Sequence, residues 1–313
     1  MASLATLPAG EMIEMGGYRL HLRRSGPERR GAELPTAIIE AGCGFHSVMY
    51  SWLHERLARE MPVVSYDRAG LGWSDDSGKP RDAGTMAEQL RMLIDRAGIA
   101  PPLLLVGHSI AALYLRVFAD RFPEDVAGMV LLDASHPGQT GILGLAEQSR
   151  QFRRHQRLMA IYGKLGLSRI VPPVWELRRA DCDGGRLPSN VEAELVAAFA
   201  QTRTYKATLR EFDAFDLSAK QALLAGDLGD LPLLVITALA ALPQSKVDGL
   251  DDRDIWLALQ RDLARLSTRS QHLVFEDAGH CTLVTEERYA TQVAEAIMRL
   301  VVSEMVPSGK GRR

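Results

Sequence analysis

A serine can attack a carbonyl carbon when the chain holds its Oγ outward on a tight turn, with main-chain N–H groups beside it. The stretch Leu103-Leu104-Leu105-Val106-Gly107-His108-Ser109-Ile110-Ala111 has the make-up of such a turn. Its four consecutive apolar residues read as a buried strand, and Ala112 to Ala119 has helical character. Ser109 is flanked two positions away on each side by Gly107 and Ala111, where larger side chains would collide with each other and with a neighbouring strand. That pattern points to acyl transfer, with the Ile110 N–H at the helix start as one donor to the developing oxyanion.

Three further segments surround this one. Ala37-Ile38-Ile39-Glu40-Ala41-Gly42-Cys43-Gly44 and Tyr66-Asp67-Arg68-Ala69-Gly70-Leu71-Gly72-Trp73-Ser74-Asp75 precede it, and Leu273-Val274-Phe275-Glu276-Asp277-Ala278-Gly279-His280 follows near the end. Taken in order, the four motifs resemble the α/β-hydrolase family across nearly the whole chain. The first resembles strand three and the glycine loop that donates half of an oxyanion hole. The second resembles the D-x-x-G-x-G-x-S turn after strand four, where Asp67 and Arg68 read as loop anchors. The last resembles the final strand and its histidine-bearing loop. One departure is Ala111, which stands where the G-x-S-x-G pattern has its second glycine.

The resemblance implies a triad in the chain order serine, acid, histidine. His280 is then the general base for Ser109, and His108 should point away from the serine hydroxyl. The acid has two candidate places. Asp133 ends the apolar run Val130-Leu131-Leu132, 24 positions after the serine (133 minus 109), as in family members that carry their acid after strand six. The more usual place is after strand seven, but Ile236 to Pro243 holds no carboxylate, which leaves Asp251 and Asp252 as the alternatives there. The Cys43 N–H is expected as the second oxyanion donor, with Gly44 as the alternative. His46, close to that loop, is a candidate for substrate contact.

The elements that must position these groups follow a βαβ rhythm. Buried strands are expected at 36–40, 63–66, 103–106, 128–132, 231–237 and 272–276, with helices near 49–60, 85–97, 111–121, 253–267 and 286–303. The alternation in Tyr18 to Arg23 predicts a half-exposed antiparallel edge strand. Together they describe an α/β fold, a mostly parallel, doubly wound eight-stranded sheet. The rhythm breaks at 136–229, expected as a helical cap inserted into a core formed by 1–135 and 230–313. In the cap, Phe152, Met159, Tyr162 and Trp175 are candidates for an apolar acyl pocket, although stripes of this kind also form cores. Eight Lys or Arg residues against two Glu between His136 and Ala180 suit either an anionic substrate or a solvated helix face.

Composition bounds the rest. With 313 residues, 46% of them hydrophobic and 24% charged, the chain is long enough for one such domain with an insertion. A net charge of −2 gives no reason to expect a nucleic-acid partner, and no apolar run approaches the roughly 20 residues that span a bilayer. Cys43, Cys182 and Cys281 are odd in number and lack metal-ligand spacing, which suggests a reducing compartment. A start lacking a basic, apolar leader adds to the expectation of a cytoplasmic monomer or homodimer. The expected activity is hydrolysis of small carboxylic esters or lactones through an acyl-enzyme, with no cofactor. Carbon–carbon bond hydrolysis and a non-catalytic ligand-binding role remain open alternatives.

Overall fold

The computed structural model describes residues 9–27, 34–141, 143–170, 187–240, 246–247 and 250–306. The strands of its central sheet are β1 (Glu11–Glu14), β2 (Arg19–Ser25), β3 (Thr36–Glu40), β4 (Val63–Tyr66), β5 (Leu103–His108), β6 (Val126–Leu132), β7 (Leu233–Ala238) and β10 (Ser270–Phe275). These eight lie in the order β1-β2-β4-β3-β5-β6-β7-β10. A short hairpin, β8 (Lys246–Val247) with β9 (Leu250–Asp251), lies outside that sheet. Within the eight-stranded sheet the pairings β4-β3, β3-β5, β5-β6, β6-β7 and β7-β10 are parallel, whereas β2 runs antiparallel to both β1 and β4.

Helices cover both faces, as a parallel sheet requires. Successive residues of one strand therefore enter different cores. Leu103, Leu105, Met129 and Leu131 join Leu90, Leu93, Leu113 and Phe118 of α2 (Ala83–Arg96) and α3 (Ala111–Arg121). Leu104, Val106, Val130 and Leu132 instead join α1 (Ser51–Leu57) and α11 (Glu287–Glu304), through Leu53, Leu57, Val293 and Ile297. This two-residue period explains why the central strands are apolar throughout rather than alternating.

The edge differs from expectation. β1 takes the outer position, and Leu20, His21 and Leu22 of β2 are all buried. His21 can occupy a buried position because its Nδ1 lies 3.0 Å from Asp67 Oδ2, so a polar residue in the pattern does not mark an exposed face here.

Between β6 and β7 the chain forms α4 (Leu143–Lys164), α5 (Leu167–Ile170), α6 (Ser189–Phe199), α7 (Thr202–Asp213) and α8 (Phe215–Leu224). α7 is bolted to the loop after β4: Arg203 donates to the Gly72 and Ser74 carbonyls at 3.1 and 3.0 Å, and Arg210 donates to Asp76 at 2.7 Å. α8 returns to the sheet, placing Ala219 and Ala222 in the same core as α2 and α3. After β9 follow α9 (Asp252–Ala264), β10, α10 (Thr282–Thr285) and α11. Among the described residues no helix is long and apolar enough to cross a membrane.

Candidate active site

Ser109 occupies the turn from β5 into α3 with φ at +58°, in the left-handed region that L-residues with a Cβ rarely adopt. The turn is held from β6: the Ser109 N–H donates to the Leu132 carbonyl at 3.0 Å, and the Ser109 carbonyl accepts from the Ser135 N–H at 2.9 Å. A Cβ on Gly107 would fall 2.7 Å from Leu115 Cδ1, which is why the position two before the serine is a glycine. Gly42, in the loop after β3, is equally confined. A Cβ there would meet His108 Nδ1 at 2.9 Å and the Cβ of Ser109 at 3.3 Å, so that loop lies directly against the serine.

Asp133 follows β6, also with positive φ (+39°), and is buried. Its Oδ2 lies 2.6 Å from Nδ1 of His280, within the range of a charge-assisted hydrogen bond. Its Oδ1 accepts from the Ala238 N–H at 3.1 Å and from Trp256 Nε1–H at 3.0 Å, which fixes the carboxylate plane. The two alternative acids sit elsewhere. Asp251 accepts from the Arg253 N–H at 3.0 Å as the N-cap of α9, and Asp252 lies buried in the first turn of that helix.

His108 forms a bridge between loops. Its Nε2 is 3.0 Å from the His280 carbonyl, which can only accept, so that nitrogen carries the proton. Its Nδ1 accepts from the Tyr50 hydroxyl at 2.8 Å, and the Tyr50 oxygen accepts from the Gly42 N–H at 2.8 Å. Burial drives the His108 pKa well below the ordinary imidazole value, in keeping with this neutral tautomer. The His108 and His280 rings lie 4.5 Å apart, so the serine turn and the His280 loop are adjacent.

The loop after β3 carries the expected oxyanion donors. The Gly44 N–H donates to Glu211 Oε2 at 3.3 Å, whereas the N–H groups of Cys43 and Ile110 have no acceptor among the described residues. Ile110 immediately precedes α3, where the leading N–H groups have no intrahelical partner. Burial first, and then Glu211, push the Cys43 thiol well above its usual pKa, and its Sγ is 3.8 Å from the Thr208 carbonyl.

Behind this loop lies a buried charge cluster. Arg68 donates to Glu40 Oε1 at 2.8 Å, to Glu211 at 2.7 and 2.8 Å, to the Gly42 carbonyl at 2.8 Å, and also to the Ala41 carbonyl. Arg81 donates to Glu211 Oε1 at 2.5 Å. Burial pushes the Glu211 carboxyl up, but the Arg68 and Arg81 guanidinium groups outweigh it and leave its pKa at about 2. For Glu40 burial prevails and the pKa rises.

The remaining candidates are held by other contacts. His46 is fully buried, packs on Phe199 at 4.8 Å between ring centroids, and its two ring nitrogens lack hydrogen-bond partners among the described residues. Burial lowers its pKa to about 4. Phe152 of α4 meets Phe212 of α7 at 5.6 Å between ring centroids, and Met159 of α4 is buried. Trp175 and Cys182 lie outside the described residues. Among the described residues no group of three or more His, Cys, Asp or Glu could hold a metal ion. Tyr50, Glu211 and Trp256 were invisible in the motifs, since each acts on a partner far away in the chain.

A doubly wound sheet with a serine on the turn after β5 and a carboxylate–imidazole contact beside it defines a hydrolase-type α/β architecture. The model of the alpha/beta hydrolase family matches residues 21–296, and the chain belongs to that family. It is 32% identical over 135 residues to the uncharacterised protein YqjL of Bacillus subtilis, covering 43% of this chain and 53% of that protein. It is 34% identical over 121 residues to an AB hydrolase superfamily protein of Gibberella zeae, covering 37% and 38%. The chain thus spans about half or less of the length of these curated relatives. Solved structures share the fold at low identity. Cfl2 from Burkholderia cenocepacia matches at 23% identity and TM-score 0.68, over 93% of this chain and 94% of that one. A thermophilic esterase from Thermogutta terrifontis matches at 19% and 0.61, over 94% and 99%. The enol-lactonase of Burkholderia xenovorans matches at 19% and 0.60, over 93% and 100%.

Proposed function

We propose that the protein is a serine hydrolase of carboxylic esters, lactones included, acting through an acyl-enzyme with Ser109, His280 and Asp133 as its triad. The observation that carries this reading is the 2.6 Å contact between His280 Nδ1 and Asp133 Oδ2 beside a serine held at positive φ. With Nδ1–H donated to Asp133, Nε2 is the nitrogen that takes the Ser109 proton as Oγ attacks the ester carbonyl. The carbonyl π electrons pass to oxygen, and the unspent N–H groups of Cys43 and Ile110 receive that charge. The tetrahedral species collapses, the ester C–O bond breaks, and His280 returns its proton to the leaving alkoxide. Water then repeats the sequence on the acyl-enzyme, so the cycle requires no metal or organic cofactor. A serine rather than an aspartate on the turn speaks against epoxide or haloalkane opening, although an epoxide hydrolase shares the fold at 17% identity and TM-score 0.69. An esterase and an enol-lactonase also share the fold. Residues 136–229 serve in this reading as the cap.

Incubation with p-nitrophenyl acetate and butyrate, and labelling by a fluorophosphonate, test the reading. Turnover and a single label on Ser109, both absent in Ser109→Ala, are expected. A wild-type protein that neither turns over esters or lactones nor takes the label would refute it.

A further inference from the structure

Residues 42–44 of the loop after β3 offer three main-chain N–H groups, and two of them are committed among the described residues. The Gly42 N–H goes to Tyr50, the Gly42 carbonyl to Arg68 Nη2, and the Gly44 N–H to Glu211. Only the Cys43 N–H is left. In a trans peptide the C=O and the following N–H point in opposite directions, and the cis bond among the described residues is at Pro101–Pro102. With the Gly42 carbonyl held by Arg68 Nη2 at 2.8 Å and by the Phe45 N–H of the same turn at 3.1 Å, the Cys43 N–H therefore faces the other way, away from the charge cluster. Arg68 is in turn gripped through Nε and Nη2 by the two oxygens of Glu211. Glu211 does not belong to the sheet. It comes from α7 in the insertion, 167 positions after Gly44, and α7 presses on the same loop through Thr208, whose side chain would lie 2.7 Å from a Cβ on Gly44.

We propose that Glu211 is a positioning residue of the oxyanion hole: by taking the Gly44 N–H and holding Arg68 on the Gly42 carbonyl, it leaves the Cys43 N–H as the donor presented to substrate. This deepens the hydrolase reading and rests on it. It also makes the insertion part of the rate-determining geometry, since the helix that carries Glu211 is joined to the core by this carboxylate. A Gly44 N–H released from Glu211 would compete with Cys43 for the loop's orientation, and Arg68 would lose the carboxylate that grips its Nε and Nη2, keeping Glu40 on Nη1.

The test uses the full-length protein, p-nitrophenyl butyrate and an alkyl trifluoromethyl ketone, whose hemiketal oxyanion on a serine occupies the hole. Chain labelling with ¹⁵N-cysteine gives amide signals for only three residues, and Cys43 is assigned through Cys43→Ala. In the wild type the Cys43 amide proton is expected to move downfield when the ketone adds. Glu211→Gln is expected to lower kcat by at least about tenfold with KM within about twofold, to weaken the ketone by the same factor, and to shrink that shift. The ceiling is the roughly 10²–10³-fold loss that follows removal of one donor. A Cys43 amide that stays put in the wild-type adduct overturns the inference while leaving the hydrolase intact. So does a Glu211→Gln protein with unchanged kcat and ketone affinity, whatever its melting temperature. If Glu211→Gln does not fold, Glu211→Asp, which retains the charge one methylene shorter, carries the same comparison. A wild type that forms no adduct and turns over no ester refutes the hydrolase reading, and this inference with it.

Discussion

Replacing Asp133 by asparagine exchanges one carboxylate oxygen for an amide nitrogen, and the surrounding donors dictate which one. Oδ1 accepts from two N–H groups, those of Ala238 and Trp256 Nε1. The amide oxygen of the new side chain must stay there, because an NH₂ in that place would face two donors. The NH₂ is then directed at His280 Nδ1, where Oδ2 now stands at 2.6 Å. Nδ1 becomes an acceptor, its proton moves to Nε2, and the ring can no longer take the serine proton. Fold and burial are kept, so the loss appears in kcat rather than in stability. Substitution of the equivalent acid in serine proteases lowers kcat by ~10⁴ through the same wrong tautomer. At 1.36 kcal/mol per decade, that is about 5.4 kcal/mol of barrier. The assay is kcat on p-nitrophenyl butyrate together with the rate of fluorophosphonate labelling, run beside Asp251→Asn and Asp252→Asn. Those two are expected within about threefold of the wild type. An Asp133→Asn enzyme within tenfold of wild type, or an equal loss in either control, would show the tautomer argument to be wrong.

Three further outcomes follow from the same contacts. His46 has a folded pKa of about 4 against an ordinary value of 6.5, so its stabilisation is present above the unfolded value and lost as pH falls. Between pH 7 and 5 that loss is about 2 kcal/mol, and urea unfolding of His46→Phe should show a pH dependence flatter by this amount; an unchanged slope counts against it. Ser109→Gly relieves the φ of +58°, so it should be about 1 kcal/mol more stable than Ser109→Ala, both inactive; equal urea midpoints would contradict strain at that turn. Tyr50→Phe leaves His108 Nδ1 and the Gly42 N–H buried without partners, and a cost of about 2–4 kcal/mol in urea unfolding is expected, with less than about 1 kcal/mol refuting the bridge.

What the sequence discloses here is what depends on local spacing. The apolar runs of β3 to β7, the glycine before Ser109 and the order of the four motifs all reflect constraints among residues a few positions apart. That Asp133 directly follows a buried strand is also legible, since the apolar run Val130-Leu131-Leu132 ends at it. What stayed hidden depends on partners far apart in the chain. Tyr18 to Arg23 reads as an edge only if the polar His21 faces water, and it faces Asp67 instead. Arg68 reads as an anchor of its own loop, yet its donors reach Glu40, Ala41 and Gly42 in one direction and Glu211 in the other. The commitment of the Gly44 N–H, which the Cys43 N–H does not share, rests on Glu211, and no periodicity distinguishes that residue from a solvated helix glutamate.

The buried cluster around Arg68 is poorly explained as a source of stability. Arg68 and Glu211 have side chains at most 1% exposed, and ion pairs removed from water to this extent are commonly matched or exceeded by apolar residues of similar volume. Two apolar side chains could fill the space between α7 and the β3 loop, but they could not select which way a peptide plane faces. The charges here are directed at main-chain atoms: guanidinium to the Ala41 and Gly42 carbonyls, carboxylate to the Gly44 N–H. The neutral bridge on the other side does the same, with Tyr50 on the Gly42 N–H and His108 on the His280 carbonyl. A donor that stabilises a transient oxyanion is effective only if it is aimed before the charge appears. Long-range polar contacts made on backbone groups meet that requirement, and in the role proposed for Glu211 they account for a cost in desolvation that packing alone would not require.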